Sequence, residues 1–204
     1  MHPSLTRTSD LVLASSSRYR REILAKLGIP FVTATPEIDE AVKPTEKPDQ
    51  LALRLARQKA QALAQRFPRH LIIGSDQVAM LDGQQLTKPG DRDRAIAQLR
   101  AASGRAVEFF TAVCVLDSAT GTTRADLDKT VVRFRPLTDA MIEAYVDRDR
   151  PFDCAGGFKS ESLGVVLFET IETEDPNALV GLPLLRLIRL LEGFGVDVLS
   201  AGNN

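Results

Sequence analysis

Tryptophan is absent from this sequence, and aromatic residues make up only 5% of it. No stripe interleaves aromatic with basic side chains, so a nucleic-acid-binding surface is not expected. Histidine occurs only as His2 and His70, a pair with neither metal-ligand nor base–nucleophile spacing. Cysteine is equally scarce: Cys114 and Cys154 are too far apart for a metal knuckle and read as free thiols of a reducing compartment. Neither a Gly-x-Ser-x-Gly elbow nor a Walker loop is present, which argues against an α/β-hydrolase serine and a P-loop. Long apolar runs are missing too, and stretches such as Val165 to Phe168 are far too short to span a bilayer. The segment Met1 to Asp10 is polar and lacks signal-peptide form. A formal net charge of -1 gives no general attraction to polyanions or anionic membranes. The expectation is a cytoplasmic protein with no nucleic-acid or membrane partner.

What remains is an ordinary core-forming chain of 204 residues, 44% of them hydrophobic. That suffices for one domain, read here as 5–200. Leu11 to Ala14 reads as a buried strand running into Ser15-Ser16-Ser17. A helix follows over Arg18 to Leu27, closed by Gly28 and Pro30. Phe31 to Thr35 is a candidate strand and Asp39 to Lys47 a loop. Pro48 opens a helix to about Arg66, with Ala52, Leu55, Ala56, Ala60 and Leu63 as its core seam. Leu71 to Ile73 and Val78 to Leu81 read as strands on either side of a polar step, Gly74-Ser75-Asp76-Gln77, before a turn at Asp82-Gly83. A helix over Asp91 to Ala101 precedes strands at Val107 to Leu116 and Lys129 to Arg135. Thr138 caps a helix through Val146, Asp147 to Leu163 is charged and glycine-bearing loop, Val165 to Phe168 returns to strand, and Pro183 begins a last helix to Leu191. The alternation predicts an α/β domain, with a hairpin-like pair that makes the sheet mixed.

Polar residues at strand ends are where such proteins often place ligands. Ser15-Ser16-Ser17 at a helix start, followed by Arg18, Arg20 and Arg21, suits phosphate, although a serine cap with solvent-facing arginines reads the same way. Asp76 follows an apolar run and is suited to holding a divalent ion or taking a proton from water; it could equally cap a turn. Lys59 falls on the core-facing side of its helix, where it either serves a site or snorkels outward. Lys88 before Pro89 offers another cation. In Phe158-Lys159-Ser160-Glu161-Ser162-Leu163-Gly164, Lys159 could meet phosphate and Glu161 a base edge or metal, or both could be loop charges. Glu37, Asp39 and Glu40 form an acidic cluster that could complete ion coordination or simply be solvated.

Taken together, these stretches resemble the Maf family of nucleotide pyrophosphatases. The resemblance covers Leu13 to Arg21, Pro36 to Glu40, Arg54 through Ala60, Gly74 to Val78, Lys88-Pro89, Ser103-Gly104, Phe158 to Gly164, Asp175-Pro176-Asn177 and Val180 to Pro183, in family order. It implies a mixed twisted sheet flanked by helices, with two lobes around a central cleft, as in inosine triphosphatase-like folds. It also implies a homodimer, and hydrolysis of a nucleoside triphosphate between its α- and β-phosphates with a divalent cation, Mg²⁺ or Mn²⁺. Asp76 matches the family's proton acceptor, with Lys59 and Lys88 beside it. Ser15, Arg20, Lys59 and Lys88 match substrate-binding positions, and Glu40 with Asp76 a metal site. Tyr19, Gln77 and Glu161 match the positions that separate subfamilies. Gln77 and Glu161 resemble the branch acting on 7-methyl-GTP, whereas the dTTP and UTP branch tends to carry threonine and glutamine there. Tyr19 departs from that first branch's usual tryptophan but keeps an aromatic ring for stacking on a cationic purine. Alternatives are a pyrophosphatase for UTP, dTTP or other modified nucleotides, and a nucleotide-binding regulator of septum formation.

Overall fold

The structure, a computed structural model, describes residues 11–201. His2, the polar Met1 to Asp10 segment and the first residues of the expected 5–200 domain lie outside that range. Among the described residues seven strands form one mixed sheet: β1 (Leu11–Ala14), β2 (Val32–Ala34), β3 (Leu71–Leu81), β4 (Gln84–Leu86), β5 (Ala106–Asp117), β6 (Thr123–Phe134) and β7 (Phe168–Glu172). The spatial order is β2-β1-β3-β5-β6-β7, with β4 folded back on β3. β1 pairs in parallel with β2 and β3, and the remaining pairings are antiparallel. The helices are α1 (Arg18–Ala25), α2 (Pro48–Ala62), α3 (Arg92–Ala102), α4 (Asp139–Asp149), α5 (Leu184–Glu192) and a short α6 (Val198–Ala201).

β3 is the strand on which the site depends. Its residues alternate between two faces of the sheet. Ile72 and Val78 pack into the core under α2, with Val12, Ala56, Ala60 and Cys114. The opposite face carries two apolar clusters. Ile73 joins Leu13, Ile23, Leu24, Val113 and Leu187 beneath α1 and α5. Ala79 and Leu81 join Ile96, Leu99, Phe109, Ile142 and Val146 beneath α3 and α4. Between these two clusters the same face is polar, with Ser75 and Thr111 each 0% exposed. The two-lobed division is therefore written into one face of the sheet, and the long strands β3 and β5 run through both lobes.

Several boundaries differ from expectation. The polar step at Gly74 to Gln77 does not break the strand, because its pairing with β5 is continuous from Leu71↔Asp117 to Leu81↔Val107. Val165 to Phe168 is not a strand: Leu163–Leu167 is a 3-10 helix, and β7 starts only at Phe168. β6 begins at Thr123 rather than Lys129, and α2 ends at Ala62, short of Arg66. The Asp82-Gly83 turn is as expected and links β3 to the unforeseen β4. Both residues have positive φ, 48° and 79°, the geometry of a two-residue hairpin whose twist matches its strands.

Candidate active site

β1 stops at Ala14, opposite Gly74, and β4 takes up pairing with β3 only at Ala79. The intervening edge of β3 carries Asp76 and Gln77, which point to opposite faces of the sheet yet both reach the opening. A cleft of about 780 Å³ lies there. Ser15, Tyr19, Arg20, Glu40, Lys59, Asp76, Gln77, Lys88 and Glu161, all singled out from the sequence, line it together. Residues separated by up to 146 positions thus converge on one concavity of ligand size.

Asp76 and Lys59 form its floor, 7% and 8% exposed. The Lys59 ammonium lies 2.6 Å from Asp76 Oδ1 and 2.8 Å from Glu40 Oε1, so it bridges a buried carboxylate and an exposed one. Lys59 therefore does not snorkel outward. Glu40 reaches it from a loop that Arg54 anchors to α2. The Arg54 guanidinium donates to both Glu46 carboxylate oxygens, at 2.6 and 2.7 Å, and to the Ala41 carbonyl at 2.9 Å. That fork pulls the Glu46 carboxyl down to about 2. Asp39 turns back to accept from the Ala41 N–H, and neither it nor Glu37 lines the cleft.

Arg20 enters from α1, where its Nε donates to the Gly181 carbonyl at 2.8 Å. Burial lowers the guanidinium from its ordinary value, with the Asp76 and Glu40 charges acting against that. Ser17 caps α1 by accepting from the Arg20 N–H, Ser15 accepts from the Ser17 N–H at 3.1 Å, and no acidic side chain occupies the first turn. The positive end of α1 thus faces the cleft without a carboxylate of its own. Lys88 lines the cleft and is exposed, next to Thr87, whose carbonyl accepts from Gln98.

Gln77 brings a different chemistry to the same cleft. Gln77 Nε2 donates to Thr111 Oγ1, the Ala178 carbonyl and the Leu179 carbonyl, at 2.9, 3.0 and 3.1 Å. Two of these partners are carbonyls, which fixes the amide orientation and leaves Oε1 as the atom available to a ligand. Ser75 Oγ also reaches the Gly181 carbonyl, at 3.0 Å. The segment from Ala178 to Gly181 is therefore stitched along the polar strip between the two lobes. The Asp175-Pro176-Asn177 stretch starts it: Asp175, 1% exposed, accepts from Asn177 N and from Leu185 N.

Glu161 is exposed at the rim. Lys159 does not line the cleft. Its ammonium turns away to the Asp149 and Arg150 carbonyls, where it satisfies the C-terminal end of α4 and holds the Glu161 loop in place. The phosphate role considered for Lys159 is not supported by this geometry.

Sequence reasoning missed Asp153 and Cys154, which line the cleft beside Tyr19. The Tyr19 hydroxyl donates to Asp153 and accepts from Arg18 Nη2 at 2.7 Å, and the Arg18 guanidinium lies 4.7 Å from the ring centroid. Burial raises the Tyr19 phenol well above its ordinary value and the Cys154 thiol to about 12. Only proximity could have disclosed this group, since 134 positions separate Tyr19 from Asp153.

A family model described as Maf-like protein matches residues 10–194. The chain belongs to the Maf family. Among Maf relatives, one from Thiobacillus denitrificans is 53% identical over 197 residues, covering 96% of this chain and 98% of its own. Another, from Albidiferax ferrireducens, is 51% identical and covers 94% of this chain and 96% of its own. A third, from Pseudomonas aeruginosa, is 51% identical and covers 93% and 98%. All three are named 7-methyl-GTP pyrophosphatase. Among solved structures, the Staphylococcus aureus Ham1 protein superposes with a TM-score of 0.51 at 14% identity, over 90% of this chain and 98% of that one. The Maf chain shares the fold of that protein.

Proposed function

We propose that this Maf protein hydrolyses 7-methyl-GTP between its α- and β-phosphates, giving 7-methyl-GMP and diphosphate. The observation that carries the reading is the convergence of two kinds of group on a single cleft. Arg20, Lys59 and Lys88 offer three cations to a triphosphate, while Tyr19, Gln77 and Glu161 offer a ring, an amide oxygen and a carboxylate to a base. The names of the relatives at about half identity support the same substrate.

In this reading Asp76 accepts the proton of the water that attacks the α-phosphorus. The bond from that phosphorus to the α–β bridging oxygen breaks, and diphosphate leaves with the charge. Arg20 and Lys88 bind phosphoryl oxygens and stabilise the charge that develops on them. Lys59 orients the Asp76 carboxylate, 2.6 Å from its ammonium. Glu161 favours a positively charged base over a neutral one, and Tyr19 offers its ring for stacking.

A divalent cation, Mg²⁺ or Mn²⁺, fits the residues present. Glu40 and Asp76 both approach the Lys59 ammonium, so two hard oxygen donors already lie close together. Among the described residues no group of three or more His, Cys, Asp and Glu could hold a metal. Glu40 and Asp76 would hold such an ion, which would take phosphate and water oxygens besides, as Mg²⁺ usually does. When bound, such an ion supplies neutralisation of phosphate charge during attack.

Among the described residues no helix is long and apolar enough to cross a membrane. Free Cys114 and Cys154 support a reducing, cytoplasmic setting. The proposal includes a homodimer, to be checked by sedimentation. The reaction itself is tested by identifying products from 7-methyl-GTP: 7-methyl-GMP with diphosphate is expected, and 7-methyl-GDP with phosphate would overturn the bond assignment.

A further inference from the structure

Tyr19 belongs to α1, in one lobe, and Asp153 to the loop that follows α4, in the other. The Tyr19 hydroxyl is 3.1 Å from Asp153 Oδ2 and 3.3 Å from Oδ1, so one phenol joins the two walls of the cleft. Burial alone would raise the Asp153 carboxyl. Hydrogen bonds from Tyr19, from its own N–H and from the Cys154 thiol outweigh that and hold it below the ordinary range. Asp153, Cys154 and Glu161 all line the cleft, so two carboxylates border it. The cations Arg20, Lys59 and Lys88 line the same cleft.

We propose that Asp153 is a base-selecting residue of this cleft, holding the Tyr19 ring across the mouth and adding a second negative charge beside Glu161. The inference rests on the 7-methyl-GTP reading and deepens it. A purine methylated at N7 carries a positive charge that guanine lacks. A carboxylate near its ring attracts the methylated base, whereas neutral guanine gains nothing comparable. The tie to Asp153 also limits the positions open to the Tyr19 ring. Because Arg18 lies over one face of that ring, a stacked base is confined to the other face or must displace the guanidinium. The charge favours the cationic base, and the position of the ring it stacks on depends on the hydrogen bond to Asp153.

The test is the ratio of kcat/KM for 7-methyl-GTP to that for GTP, measured in wild type, Asp153→Asn and Tyr19→Phe. A ratio is insensitive to the fraction of enzyme folded, so it separates selection from stability. Asp153→Asn is expected to lower it about fivefold, the scale of one partly screened charge pair. Tyr19→Phe, which removes the tie but leaves the carboxylate, is expected to lower it less. The loss in Asp153→Asn should also shrink at high salt. A wild type that prefers 7-methyl-GTP, together with an Asp153→Asn ratio equal to it, overturns the role of Asp153 and leaves the substrate reading standing. A wild type with no preference for the methylated base overturns that reading and this proposal with it.

Discussion

Gly74 lies against the backbone of Ala56. A Cβ at position 74 would overlap the Ala56 carbonyl oxygen and stand 2.8 Å from the Ala60 N. This contact lets α2 settle directly on β3. Lys59 is the residue before Ala60 and Asp76 lies two positions beyond Gly74, on the same face of the strand, so the close approach brings ammonium and carboxylate together. Gly74→Ala should push α2 outward, because backbone cannot yield as a flexible side-chain end can. The expected cost is about 1–3 kcal/mol or more, as for overpacked cores. A lowered urea midpoint together with reduced kcat checks this; wild-type values for both would show that the helix can shift freely.

Asp76→Asn keeps an oxygen for the Lys59 ammonium, and Glu40 still pairs with it, so the fold should survive. The amide cannot take a proton from water. Turnover is expected to fall by a factor on the order of 10²–10⁴, with circular dichroism unchanged. Full activity in a clean preparation would remove Asp76 from the proposed chemistry.

Gln77 both faces the cleft and ties the segment from Ala178 to Gly181 to the sheet. Leucine there would leave buried Thr111 and two carbonyls without that donor. Gln77→Leu should destabilise by about 1–3 kcal/mol, and hydrogen exchange should rise in that segment before it rises in the core. A variant that loses base preference with unchanged stability and exchange would assign Gln77 to recognition alone.

The Arg54–Glu46 fork makes a prediction about acid. The folded-state Glu46 carboxyl lies near 2, below its ordinary 4.5. Its contribution to stability is therefore fully present above about pH 4.5 and is lost as pH falls through about 2. Urea midpoints of wild type and Glu46→Gln should differ by a constant amount from about pH 7 to about pH 5. The gap should then close towards about pH 2, and a gap that stayed constant to that pH would contradict the pairing.

Much of this site was legible because its residues break the pattern around them. Lys59 is a cation inside the apolar seam of Ala52, Leu55, Ala56 and Leu63, and Asp76 interrupts a hydrophobic strand. The same signal misled at Gly74 to Gln77, where polarity suggested a break. Their partners lie elsewhere in the chain, in α2 and in the segment from Ala178 to Gly181, and the β5 ladder carries the strand straight through. Val165 and Val166 looked like strand by composition, yet they are exposed within a 3-10 turn. Asp153 was illegible because its meaning comes from Tyr19, across the cleft. In sequence Lys159 reads as either a phosphate ligand or a loop charge, and only its place at the end of α4 decides between them.

The most direct test of the account is initial diphosphate release from equal concentrations of 7-methyl-GTP, GTP, UTP and dTTP, each with and without Mg²⁺. The account predicts Mg²⁺-dependent release that is fastest from 7-methyl-GTP. Faster release from UTP or dTTP would contradict the proposed base selection, and no release from any of the four would contradict the proposed hydrolysis.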